Sequence, residues 1–138
     1  MRNVVLPYSD NGMRYLLLLV LVVCSVGILM IPNAFAAVGN ERTITVQNAP
    51  GSSVPGCEKF DGCFIPNRPS IRPGDTVVWT NPDTAAHTAT SGSAADGPDG
   101  VFDSSLMMAN GPSFSHTFDD AGTYDYFCMV HPWMAGSV

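Results

Sequence analysis

The stretch Tyr124-Asp-Tyr-Phe-Cys-Met-Val-His-Pro-Trp-Met134 decides how the rest of the chain is read. Within seven residues it carries a thiol at Cys128, an imidazole at His131 and a thioether at Met134. An extended backbone sends successive side chains to opposite faces, so Tyr124, Tyr126 and Cys128 share one face of a strand that ends at the cysteine. His131 and Met134 then fall in the loop that follows, and Pro132 stiffens that loop. Thiolate, thioether and imidazole together suit a soft or borderline metal, copper or zinc among first-row ions.

Two histidines and one cysteine in a trigonal set, with a long axial methionine, make a blue-copper site, and the stretch is one histidine short of it. His87 supplies the missing ligand. It follows a turn signal in Asn81-Pro-Asp-Thr-Ala-Ala-His87 and opens a β-rich run. The third histidine of the chain, His116, alternates with two phenylalanines in Phe114-Ser-His-Thr-Phe118 and reads as a strand residue.

The segment Gly122 to Gly136 resembles the copper-binding end of small cupredoxins, in particular the amicyanin and plastocyanin group with its archaeal plastocyanin-like members. Its Cys-x-x-His-x-x-Met loop has the amicyanin-like length. Upstream, Pro73-Gly-Asp-Thr-Val-Val-Trp-Thr-Asn81, His87, Phe102-Asp-Ser104 and Phe114-Ser-His-Thr-Phe118 match in order and spacing, so the resemblance spans residues 42–138. It implies one type 1 copper held by His87, Cys128, His131 and Met134, and a single-electron carrier between redox proteins. Docking would use an apolar patch around His131, drawn from Met129, Val130, Pro132 and Trp133, although Trp133 could instead pack as a lid over Met134. Thr88 stands where the group commonly has Asn, and its backbone or hydroxyl is expected to reach the cysteine sulfur. Asp103 and Ser104 are expected to tie the preceding long loop to the ligand loop.

Of the 138 residues, the first 36 read as a targeting segment. Arg2 and Arg14 precede sixteen apolar or small residues from Leu16 to Ile31, and Ala34-Phe-Ala36 gives a small-x-small cleavage signature. The domain proper is then 37–138, placed outside the cytoplasmic membrane. An uncleaved anchor over residues 15–31 is the rival, because sixteen residues fall just short of the ~17–25 that span a bilayer. A lipoprotein reading of Cys24 is weakened by Val23, where a small residue belongs. Past residue 36, Arg42, Lys59, Arg68 and Arg72 face eleven Asp and Glu, a formal charge of −7. That balance argues against nucleic acid as a partner and suits a soluble monomer whose field steers encounter. Cys57 and Cys63 remain once Cys24 and Cys128 are assigned. In an exported chain they read first as a disulfide, ahead of a thiol pair or a second metal site without histidine.

The rest alternates between short strands and turns. Strands are expected at 42–47, 64–65, 76–80, 84–90, 113–118 and 123–127, with loops at 48–62 and, through a Ser, Gly, Ala and Asp tract, at 91–100. Phe102, Leu106, Met107 and Met108 then bring apolar weight that closes over the core or, alternatively, over the metal. The class is all-β, a cupredoxin-like Greek-key β-sandwich preceded by an N-terminal hydrophobic helix. After Gly136-Ser-Val138 the resemblance would require a further strand, so the final strand is expected to be missing. A copper carrier or storage protein is the alternative function; it calls for several exchangeable Met or His ligands. Enzymatic activity needs a second cluster of histidines, and only His116 is spare.

Overall fold

Alternating β-branched residues set the first strand, and in the computed structural model, which describes residues 40–138, it runs Thr43–Asn48 (β1). The segment expected over 1–36, its tether at 15–31 and Cys24 lie outside the described residues. In chain order the other strands are Phe64–Ile65 (β2), Thr76–Thr80 (β3), Thr90–Ser93 (β4), Gly97–Asp103 (β5), Phe114–Thr117 (β6), Asp125–Cys128 (β7) and His131–Ser137 (β8). One sheet has the order β2-β1-β3-β6 and the other β5-β4-β7-β8. β1 and β3 run parallel, with Ile44 opposite Val77 and Val46 opposite Trp79, while every other pair is antiparallel. Among the described residues no helix is long and apolar enough to cross a membrane.

The sheets meet across Trp79, which is wholly buried. Its ring lies 5.7 Å from Phe114 of its own sheet, and 5.0 Å from Phe102 and 5.5 Å from Tyr126 of the other. Val46, Val77, Phe64 and Met134 complete this layer. Truncating an aromatic of this kind to alanine costs about 3–5 kcal/mol, so the layer holds the sandwich shut. Phe102 and Met107 fill the core as expected, whereas Leu106 and Met108 are exposed. His116 is a strand residue on β6, its ring 5.1 Å from Phe102 and 4.8 Å from Phe118. The expected Cys57–Cys63 disulfide is present and closes a short 3-10 turn at Cys57–Phe60.

Four expectations are corrected. The final strand is not missing: β8 pairs with β7 through Phe127 opposite Ala135, Tyr126 opposite Gly136 and Asp125 opposite Ser137. The turn after Cys128 is so tight that the chain re-enters the sheet at His131, which places His131 and Met134 on the strand itself rather than on a loop. The polar tract 91–100 is a hairpin, because side chains substitute for strand propensity. Ser91 Oγ bonds Asp99, Ser93 Oγ bonds Asp96 at 2.8 Å, and Gly92 at φ 111° lets the other arm approach where any Cβ would collide with the Gly97 carbonyl. Finally, the strand expected over 84–90 begins only at Thr90; His87 stands alone, bridged to Met107 by backbone bonds of 3.1 and 2.8 Å.

Candidate metal centre

β7 carries Cys128 into the sandwich with its side chain fully buried, and the reversal through Met129 and Val130 returns His131 opposite it. His87 arrives from the other side on its bridge to Met107 and is equally buried. Both rings turn Nδ1 to the sulfur, at 3.8 Å for His87 and 3.7 Å for His131, and the two Nδ1 atoms are 3.0 Å apart. Met134, also fully buried, follows on β8. The structure thus brings together His87, Cys128 and His131 of the four expected ligands within ligand range of one another, while Met134 is buried as a member of the hydrophobic core.

Electrostatics prepare this cluster for a cation. Burial pushes the Cys128 thiol up, but the His87 hydrogen bond and the Thr88 backbone N–H, 3.3 Å from Sγ, outweigh it and leave the thiol below its ordinary value. Burial pushes His87 down, and its bonds to Cys128 and Asp83 reverse that, holding the ring above its ordinary value. Burial, and then the neighbouring positive charge of His87, hold His131 below its usual value, which keeps a lone pair available. Ligation requires a deprotonated sulfur and neutral imidazole, and these shifts favour both at the sulfur and at His131.

Asp83 orients the buried histidine. Its Oδ2 lies 2.8 Å from His87 Nε2, and its Oδ1 accepts the backbone N–H groups of Gly51 and Thr84, each at 2.8 Å. Burial alone would raise this carboxyl, yet the Gly51 amide, His87 and the Thr84 amide together lower it from 3.8 to about 2. Asn81 fastens the same turn, donating from Nδ2 to the Ala85 and Met107 carbonyls and accepting from the Asp83 N–H. A carboxylate behind a ligating histidine fixes ring and tautomer. Neither Asp83 nor Asn81 had been singled out, although Asp83 lies in the turn signal four residues before His87; in irregular backbone that spacing does not place two side chains together.

Thr88 meets expectation with its backbone: its N–H reaches the sulfur, while its hydroxyl accepts from Met129 N at 2.8 Å and from Thr90 Oγ1 at 3.0 Å. Asp103 and Ser104 bind elsewhere than expected. They hold Thr90 Oγ1 and Ala89 N, in the segment after His87, because β5 pairs with β4 and not with the ligand turn. Trp133 is half-buried, its ring 5.2 Å from that of His131 and its Nε1–H donated to the Ser52 carbonyl at 2.9 Å.

Comparison with known proteins agrees with this geometry. Residues 56–138 match the family of copper binding proteins described as plastocyanin/azurin. Amicyanin from Paracoccus versutus is 31% identical over 102 residues, covering 73% of this chain and 74% of that protein. Plastocyanin from Scenedesmus fuscus is 35% identical over 75 residues, 49% of this chain and 74% of that protein. Among solved structures, a purple cupredoxin from Nitrosopumilus maritimus superposes with a TM-score of 0.60 at 30% identity, covering 68% of this chain and 95% of that one. With two imidazoles and a cysteine sulfur within ligand range of one another in a two-sheet sandwich, the chain belongs to the plastocyanin/azurin family of copper binding proteins.

Proposed function

We propose that the protein is a single-electron carrier in which one copper ion would be held by His87 and His131 through Nδ1, by Cys128 through sulfur and by Met134 through its thioether. The observation that carries this reading is the buried cluster of one sulfur and two Nδ1 atoms. Copper supplies the chemistry, a one-electron change between Cu(II) and Cu(I), whose preferred geometries differ. The residues of the chain resist that difference. Cys128 and His131 are locked across an antiparallel pair, His87 is fixed by its bridge to Met107 and by Asp83, and so the donors need little movement between oxidation states.

His131 is the one ligand of the four that is not fully buried, and it lies beside Met129 and Val130, 46% and 50% exposed. Electrons would leave by its ring edge, toward a redox protein docking on this apolar surface through a small, transient interface. The acidic balance of the domain steers partners with a basic face. The Cys57–Cys63 bridge favours an oxidising compartment, and with the apolar run near the N-terminus it supports export of residues 37–138, either free or tethered through 15–31, to act as a monomer outside the cytoplasmic membrane. Storage or delivery of copper fits less well, since three of the four donors are closed to solvent and release would need the sandwich to open.

The test is a visible and EPR titration of the protein with Cu(II), beside a Cys128→Ser control. An intense thiolate-to-copper band with narrow hyperfine splitting, lost in the control, is expected. Weak, ordinary copper absorption in both would refute the carrier reading.

A further inference from the structure

Two hydrogen bonds, one to the partner of each histidine in the cluster, end on one loop. Gly51 donates its backbone N–H to Asp83 Oδ1 at 2.8 Å, and the other oxygen of that carboxylate meets His87. Its neighbour Ser52 accepts the indole N–H of Trp133, whose ring lies against that of His131. Adjacent residues therefore reach both histidine-bearing segments, 32 and 81 positions away in the chain. The loop is short and closed on itself. Ala49 N bonds the Cys63 carbonyl at 2.9 Å, Ser52 N bonds the Ala49 carbonyl at 3.1 Å, Asn48 pairs with Phe64, and Cys57 is joined to Cys63. Ser52 is 1% exposed although it stands in irregular backbone, which marks the loop as packed rather than draped over the surface.

We propose that the loop 49–63, closed by the Ala49–Cys63 backbone bond and pinned along its second arm by the Cys57–Cys63 bridge, is a positioning element of the metal centre, bracing the Asp83–His87 pair through Gly51 and the Trp133–His131 pair through Ser52. Neither loop residue touches a ligand. Each acts through a second side chain, so the Cys57–Cys63 bond governs how firmly two ligands are held. A bridge serving only global stability would leave the metal centre unchanged wherever the protein stays folded; a brace predicts a looser centre inside an intact sandwich. The metal part of this inference rests on the copper reading, whereas the brace is a property of the protein with or without metal.

Full-length Cys57→Ser/Cys63→Ser, Trp133→Phe and their combination separate the two roles, since phenylalanine keeps a ring beside His131 and removes only the donor. In the metal-free protein, hydrogen exchange of the Trp133 indole N–H is measured by NMR against the amides of Val77 and Tyr126 in the core. In the copper-loaded protein, the rate of copper transfer to a chelator is followed. The double serine variant is expected to exchange the indole hydrogen about tenfold faster with the core amides unchanged, and to release copper on the order of 10-fold faster. Trp133→Phe should reproduce part of the faster release, and the combination should fall short of the product of the two effects. Unchanged indole exchange and release in a folded double variant overturn the brace, as do effects that simply multiply. If the double variant does not fold, Trp133→Phe decides alone, and unaltered release refutes the proposal. Faster indole exchange in a protein that gives no thiolate band would uphold the brace and defeat the copper reading instead.

Discussion

Asp83→Asn would reverse the tautomer of a buried ligand without changing its position. Oδ1 of Asp83 accepts two backbone N–H groups, from Gly51 and Thr84, each at 2.8 Å, and Oδ2 faces His87 Nε2 at the same distance. The two fixed donors oblige an asparagine to keep its carbonyl toward them and to turn its NH2 toward the ring. Nε2 must then accept, which moves the ring proton to Nδ1, the atom 3.8 Å from Cys128 Sγ and 3.0 Å from His131 Nδ1. A protonated Nδ1 has no lone pair for a metal. Loss of such a partner typically costs 10- to 100-fold in metal affinity, about 1.4–2.8 kcal/mol, and reversing the tautomer should place this variant near the upper end. Copper affinity is read by competition against a chelator, and the tautomer from the ring nitrogen shifts of the metal-free protein at a pH where His87 is neutral. Unaltered affinity with the proton still on Nε2 would refute the reasoning.

Asp75 and Asp83 set the acid limit. The side chain of Arg42 and then the backbone N–H groups of Arg42 and Arg72 bring Asp75 from 3.8 to about 2, and Asp83 lies in the same range. Because the folded values are depressed, their stabilisation is complete above pH 3.8 and is lost as pH falls through about 2; Asp75→Asn should flatten part of that slope in melting temperature against pH. Gly136→Ala would bring a Cβ within 2.6 Å of Cζ and Oη of Tyr126 and 3.0 Å of the Asn67 carbonyl, an overpacking of about 1–3 kcal/mol by thermal denaturation. Tyr126→Phe in that background should recover part of the loss, since Oη is one of the crowded atoms. Thr88→Ala keeps the N–H to sulfur but removes the acceptor of Met129 N, so voltammetry should show a shifted reduction potential with the thiolate band intact; an unmoved potential would mean that the hydroxyl link does not reach the metal.

The candidate cluster was legible because its chemistry is compressed into Cys128-x-x-His131-x-x-Met134 and few histidines compete for the last position. Strands β1 and β3 were legible for a different reason, the local preference of their β-branched residues. Hairpin β4–β5 offered no such signal: its Ser, Gly and Asp residues become strand through the Ser91–Asp99 bond between its two arms and the Ser93–Asp96 bond within its turn. β8 hid behind Pro132 and Gly136, residues that ordinarily interrupt a sheet. The edge position in the order β5-β4-β7-β8 tolerates the proline, and the ring of Tyr126 occupies the space a side chain at Gly136 would need. Asp83 and Ser52 could not be found by spacing, because their reach to the ligands runs through tertiary packing of irregular segments.

An outermost strand presents a free row of amides and carbonyls onto which another chain can zip. On β8 that row is already engaged at its far end, where Ser137 N bonds the Asn67 carbonyl, and at the ligand end Pro132 has no amide to offer. Strand addition along this edge is therefore interrupted at two points, one beside the candidate metal centre and one at the far end, so the edge offers another chain no unbroken row to zip onto.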